Sequence, residues 1–159
     1  LNRNGLHQLL DARLGDPEAS EPSASTAQAE LALLFIDLDH FKSVNDSLGH
    51  GLGDELLRQA TDRIEACVPA RSPVARPGGD EFVVVLEAAD AADAAEVATA
   101  ICRRMALPFQ VGGREHFLGA SIGIALAKDE SPESLMARAD EALYCAKEQG
   151  RNRAYCAEK

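Results

Sequence analysis

Two short stretches carry carboxylates in settings where they could do chemistry. Arg76-Pro77-Gly78-Gly79-Asp80-Glu81-Phe82 sets consecutive acids behind a proline and two glycines. Ser72-Pro73-Val74-Ala75 precedes it and Val83-Val84-Val85-Leu86 follows, both with the apolar, β-branched content of strands. That composition predicts a β-hairpin with Asp80 and Glu81 at its tip. Gly78 and Gly79 leave the backbone bare enough for a large group to approach. Acids on such a tip suit a cation and the phosphates it neutralises, although a solvated turn ending in acids has the same composition. The second stretch is the apolar run Leu31-Ala32-Leu33-Leu34-Phe35-Ile36, which leads into Asp37-Leu38-Asp39. The run reads as a strand buried on both faces, and it delivers Asp37 at the carboxyl end, where α/β sheets bind ligands. Alone, Asp37 could simply terminate the strand. Paired with the hairpin acids it becomes a candidate metal ligand.

The remaining elements must bring these acids together. Residues 1–14 carry Leu6, Leu9, Leu10 and Leu14 at helical spacing, and residues 15–28 collect small and polar residues that predict a mobile loop. The body, residues 31–156, continues with a short helix or turn over His40–Leu48, a glycine-rich break, and a helix opened by Asp54. After the hairpin, Asp90 N-caps an alanine-rich helix to Met105. Pro108–Val111 and His116–Ala127 read as two strands joined through Gly112-Gly113. Ser131-Pro132 starts a last helix burying Leu135, Met136, Ala139, Ala142, Leu143 and Ala146, and Gly150 ends it. A final short strand is expected within Asn152–Cys156. The layout predicts an α/β (α+β) sandwich with a mixed central sheet of about five strands covered by helices. It is not a dinucleotide-binding fold, since no Gly-x-Gly-x-x-Gly or Gly-Lys-Ser/Thr motif occurs.

Composition narrows the partners. Twenty-six acids against 16 bases give a formal charge of −10, which argues against a surface that coats nucleic acid or an anionic membrane. A nucleotide remains possible where a divalent cation and a few bases screen its phosphates. Cys67, Cys102, Cys145 and Cys156 have no metal-binding spacing, so zinc is not expected. Three of them fall in apolar-periodic segments and read as buried reduced thiols, which fits a cytoplasmic compartment. The sequence starts at Leu1 in mid-pattern, and the expectation is a single domain excised from a longer, multidomain protein.

Several separated motifs then line up. Phe35-Ile36-Asp37-Leu38-Asp39-His40-Phe41-Lys42, Asn45-Asp46-Ser47-Leu48-Gly49-His50 and Gly53-Asp54 resemble the first half of GGDEF domains. Gly78-Gly79-Asp80-Glu81-Phe82 resembles the signature itself. Ser121-Ile122-Gly123, Ala139 to Tyr144 and Ala146-Lys147-Glu148-Gln149-Gly150-Arg151-Asn152 resemble the C-terminal pattern. The likeness implies a fold akin to nucleotidyl cyclases and polymerase palms. It also implies a diguanylate cyclase that makes cyclic di-GMP from two GTP, and a homodimer in the active state. Upstream sensory and downstream phosphodiesterase domains are implied as neighbours. By the resemblance, Asp37, Asp80 and the Leu38 carbonyl hold Mg²⁺, with Mn²⁺ as an alternative. Asp80 is the implied general base, with Glu81 and Lys42 beside it in the catalytic group. Asn45, His50 and Asp54 match the guanine-reading positions, Phe41, Gly78 and Gly79 line the substrate, and Lys42, Lys147 and Arg151 hold phosphates. Taken singly, Asn45 suits a turn, Asp54 a helix N-cap, Lys147 a solvated surface and Glu81 a partner for a cation. Asp39, Asp46 and Asp140 match recurrent acids to which structural roles are assigned.

Two departures stand out. Many members carry an Arg-x-x-Asp inhibitory site before the signature, where this chain reads Pro69-Ala70-Arg71-Ser72. Without the bidentate donor and its acidic partner, product inhibition there is expected to be weak or absent. Pro77 removes a backbone donor and presses Arg76 toward an extended conformation. An alternative function of a different class is a GTP-binding module that regulates a linked cyclic di-GMP phosphodiesterase.

Overall fold

Leu31–Asp39 forms β1, the strand around which the sheet is assembled in this computed structural model, which describes residues 2–14, 31–49 and 51–157. Its even positions, Ala32, Leu34, Ile36 and Leu38, face one layer of core, while Leu31, Leu33 and Phe35 face the other. This is the two-residue period of a strand with both faces covered. The first layer is closed by α2 (Phe41–Leu48), α3 (Leu52–Cys67) and α4 (Ala91–Met105). The second is closed by α1 (Arg3–Leu14) and α5 (Pro132–Glu148), through Leu6, Leu10, Leu135, Ala139 and Leu143.

β1 lies antiparallel between β3 (Glu81–Glu87) and β6 (Gly119–Leu126). β2 (Val74–Ala75) extends the β3 edge, and β7 (Ala154–Cys156) runs parallel to β6, giving a mixed five-stranded sheet in the order β2-β3-β1-β6-β7. The expected hairpin is therefore present, with Val74 opposite Val84 and Ala75 opposite Val83. Its tip holds Asp80, while Glu81 is already the first residue of β3. At Gly123 an added Cβ would collide with the Ala139 carbonyl and the Leu143 amide, so the bare backbone lets α5 lie directly on β6.

Helix boundaries follow the capping signals. Asp90 and Asp93 form a reciprocal capping box, and Ser131 accepts from the Ser134 amide ahead of Pro132. Asp54 does not cap its helix: α3 begins at Leu52 behind Gly51, so Asp54 falls in the first turn with its side chain exposed. The single strand expected over His116–Ala127 is also corrected. Gly112 and Gly113 both take positive φ, 62° and 76°, and make a two-residue turn that pairs Val111 with Arg114. That turn commits Arg114–His116 (β5) to a separate hairpin with Phe109–Val111 (β4), and only Gly119 onward joins the main sheet. Met136 is only half-buried on α5.

The cysteines differ from expectation too. Cys67, Cys102 and Cys145 are half-buried rather than buried, because they flank the apolar stripes instead of lying on them, and Cys156 is exposed. The stretch 15–28 expected as a mobile loop lies outside the described residues. No described helix is long and apolar enough to cross a membrane.

Candidate active site

The face of β1 that packs on α5 changes character along its length. Leu31, Leu33 and Phe35 meet the apolar stripe of α5, and the next two positions of that face are Asp37 and Asp39. The helix changes in step: beyond Leu143 and Ala146 it presents Lys147, whose ammonium is ion-paired with Asp37 Oδ2. The Asp37 side chain is only 16 % exposed, so this pair is shielded from water far more than a surface bridge. The other oxygen, Oδ1, is buried and has no hydrogen-bond partner in the structure. Leaving such an acceptor unsatisfied costs on the order of 1–3 kcal/mol.

The hairpin tip brings Asp80 against this acid. The Leu38 amide donates to the Asp80 carbonyl at 3.1 Å, and Asp37 pairs with Glu81 across the strands. Burial, then the nearby charge of Asp37 and more weakly that of Glu81, push the Asp80 carboxyl above the usual carboxylate range. The two acids far apart in sequence thus converge. No group of three or more His, Cys, Asp or Glu side chains that could form a metal cage occurs among the described residues. Two carboxylates, one with an orphaned buried oxygen, fit Mg²⁺, which binds few protein ligands and completes its shell with phosphate oxygens and water. Strand geometry turns the Leu38 carbonyl toward the same edge as its amide, beside Asp80.

Glu81 does not line up with the other acids. Its carboxylate folds back over Gly78, where an added Cβ would lie 2.8 Å from Oε2. The bare backbone at Gly78 therefore accommodates Glu81, whereas at Gly79 an added Cβ meets nothing within 4 Å and the approach is open. Neither glycine has positive φ, so space rather than backbone conformation is what glycine supplies here.

The residues expected to read a base are on the opposite wall, around the α2–α3 junction. Gly49 and Gly51 take φ of 79° and 97° and reverse the chain between the helices. Asn45, near the end of α2, packs its carboxamide against Gly53, where any Cβ would strike it. Asp54 follows in the first turn of α3 and lines an open cleft of about 530 Å³ between α3 and the β2–β3 hairpin. Leu57, Arg76, Val74 and Phe82 line the same cleft. Leu57 and Arg76 are additions to the site that the sequence reading missed. Arg76 adjoins the signature, but only the hairpin geometry shows that it shares a wall with Asp54.

The other expected residues are distributed unevenly. Lys42 is exposed on α2, while the Phe41 ring is 9 % exposed within the core and can only support a ligand from behind. Phe41 is large and apolar on the inner face of a short helix, and burial claims it. Arg151 is exposed just past α5 with φ 64°. His50 lies outside the described residues.

Comparison with known proteins bears on this arrangement. The sequence profile described as "Diguanylate cyclase, GGDEF domain" matches residues 2–153. MucR of Pseudomonas aeruginosa, a bifunctional diguanylate cyclase/cyclic di-GMP phosphodiesterase, is 47% identical over 150 residues, covering 93% of this chain and 21% of that protein. Among solved structures, the GGDEF domain of PA1120 (YfiN or TpbB) from the same species superposes with a TM-score of 0.87 at 37% identity, covering 100% of this chain and 97% of that one. The GGDEF domain of DgcB from Caulobacter crescentus, solved in complex with c-di-GMP, gives 0.85 at 31% identity, covering 99% and 91%. The chain spans about a fifth of the length of curated relatives such as MucR.

Proposed function

The chain belongs to the GGDEF family of diguanylate cyclase domains, and from that premise we propose that it condenses two GTP molecules into cyclic di-GMP with release of pyrophosphate. The observation that carries this reading is the convergence of half-buried Asp37 and Asp80, with one buried Asp37 oxygen left unpaired.

Guanine offers two adjacent N–H donors and a carbonyl acceptor. Asp54 accepts from the donors, and Asn45 both donates and accepts; His50 is a further candidate by motif alone. Lys42, Lys147 and Arg151 hold the triphosphate. Asp37, Asp80 and the Leu38 carbonyl would hold Mg²⁺ or Mn²⁺. Bound there, the ion screens the phosphates and makes the attacking hydroxyl more acidic. Asp80 takes the proton of a 3′-hydroxyl, whose oxygen attacks the α-phosphorus of the other GTP. The bond from that phosphorus to the bridging oxygen breaks, and the pyrophosphate leaves with its new charge facing Lys147 and Arg151. Lys147 rests on Asp37 in the structure, and an incoming triphosphate offers it a competing anion. Ring closure repeats the transfer in the opposite sense, so each domain supplies one GTP and a two-fold homodimer is the active unit. An upstream sensory module that controls this pairing fits the larger size of the relatives.

Ser72 and Pro69 close a tight turn through a 2.9 Å backbone bond, with neither an arginine at 69 nor an acid at 72 to grip the product. Feedback inhibition through this position is accordingly weak or absent. Calorimetry with cyclic di-GMP tests that statement, and tight binding abolished by Arg71→Ala would overturn it.

Incubating the purified domain with GTP and Mg²⁺ tests the activity, with cyclic di-GMP and pyrophosphate as products. GTP binding without turnover would select a second reading, a regulatory module for a linked phosphodiesterase, which the similarity to bifunctional MucR keeps in play.

A further inference from the structure

Among the described residues, the mechanism leaves one buried charge unused. Asp39, two residues beyond Asp37 on the same face of β1, is 5 % exposed. Its Oδ1 accepts from the Ser121 hydroxyl at 2.7 Å, and its Oδ2 accepts from the backbone amide of Asn152 at 2.9 Å. Opposite it on β6, Gly119 leaves room: an added Cβ would lie 3.1 Å from Oδ2 and 3.2 Å from the Asn152 side-chain oxygen. The segment it grips is unusual. Gly150, Arg151 and Asn152 have φ of 121°, 64° and 49°, three successive residues in a region that L side chains avoid. Such backbone persists only when its surroundings over-determine it. Here the Arg151 amide bonds to the Ala146 carbonyl, the Arg151 carbonyl accepts from Arg153 Nε, and the Ile122 amide holds the Arg153 carbonyl to β6. Asp39 is the one side chain from the acid strand that fastens this turn.

We propose that Asp39 is a positioning residue: its carboxylate clamps the Asn152 amide so that the turn after α5 holds Arg151, and with it Lys147, at the triphosphate. Both aspartates of β1 then serve one geometry. Asp37 faces the reaction centre and contacts Lys147 directly, while Asp39 fixes the backbone from which the second cation projects. The role needs an acceptor at Oδ2 rather than a negative charge. A carboxamide can supply the same acceptor and donate its Nδ2 to the Ser121 oxygen. The inference rests on the reading of Lys147 and Arg151 as triphosphate holders.

Three variants and two ligands separate the possibilities. Asp39→Ala is expected to lower affinity for a non-hydrolysable GTP analogue with Mg²⁺ by about tenfold or more, since misplacement of about 1 Å is costly at such sites. Guanosine, read by NMR titration, is expected to bind Asp39→Ala as it binds the parent, because the base wall is untouched. Asp39→Asn is expected to stay within about twofold of the parent for both ligands, and Ser121→Ala to shift GTP affinity in the direction of Asp39→Ala but less. Equal weakening of guanosine, or an Asn variant as poor as the Ala variant, would overturn the proposal. Amide exchange supplies a readout independent of nucleotide: residue 152 should exchange faster in Asp39→Ala and Ser121→Ala than in Asp39→Asn. If the parent fails to bind the GTP analogue, the functional reading falls while amide exchange still decides the clamp. Unchanged exchange at 152 would remove the clamp whatever the ligand does. Should Asp39→Ala not fold, the Ser121→Ala and Asp39→Asn pair carries the same comparison.

Discussion

The wall made by the end of β1 with α5 is built from shielded charges, paired except for one Asp37 oxygen, whereas the wall made by α2 and α3 is built from a half-buried amide and an exposed carboxylate on a glycine-hinged turn. In the first, Asp37 meets Lys147, and Asp39 holds Ser121 and Asn152. In the second, Asp54 is exposed, and Gly49 and Gly51 set the reversal between the helices. On the proposed function, the difference follows from what each wall would handle. Groups that meet multiply charged phosphates act most strongly where water is scarce, and burying them demands partners in the resting state. Groups that only read hydrogen bonds on a base can remain hydrated at little cost until the ligand arrives.

If the walls are separable, Asp80→Ala should break one and spare the other. Turnover, read as pyrophosphate release, is expected to fall by roughly 10³-fold or more with loss of a metal-holding acid and base. Weak nucleotide binding through Asn45 and Asp54 should survive. Turnover within tenfold of the parent would mean that the acid wall is not the reaction centre. Next in size, Lys147→Ala should weaken GTP binding about tenfold to a hundredfold, the range for losing hydrogen bonds to a charged group. Isothermal titration measures it, and guanosine should bind unchanged. On the other wall, Asn45→Ala should raise KM for GTP by about tenfold and narrow the preference over ATP, with kcat nearly kept. A fall in kcat instead would tie the two walls together.

The acid wall also predicts a pH dependence of stability. Asp80 is held above its ordinary pKa of 3.8 in the fold, so between that value and its raised one the native state binds more protons than the unfolded state. Stability of the metal-free protein should therefore fall as pH rises through that window. Asp80→Asn should flatten the slope and raise Tm near neutral pH by a few degrees, as followed by thermal melts. A parent-like slope in Asp80→Asn would show that Asp80 does not carry the strain. The smallest effect concerns the thiols. Burial and then the charge of Asp39 push Cys102 up to about 11, so a thiol reagent at pH 8 should label exposed Cys156 first and Cys102 slowly.

Local sequence signals carried much of this. The apolar run into Asp37 marked a buried central strand, the glycine-flanked acids marked a hairpin, and Asp90 and Ser131-Pro132 marked helix starts. These are short-range effects: periodicity, capping and turn chemistry act within a few residues. The sequence reading went astray where a local pattern was ambiguous. His116 to Ala127 is apolar enough for one strand, and only the tight pairing across Gly112-Gly113 assigns its first residue, His116, elsewhere. Phe41 lies within a motif, yet whether its ring lines a ligand or fills a core depends on what packs beneath α2.

By itself the sequence determined the family and the mixed sheet under amphipathic helices, and it singled out Asp37 and Asp80 as candidates, because residue types at fixed spacings encode period, turns and motif. Tertiary structure alone decided what each group touches. It put Lys147 on Asp37, turned Glu81 back over Gly78, set Arg76 in the cleft with Asp54 and fastened Asn152 to Asp39. Those pairs lie up to 113 residues apart. No local propensity reaches that far, and their meeting depends on how the sheet orders its strands and how closely α5 lies on Gly123.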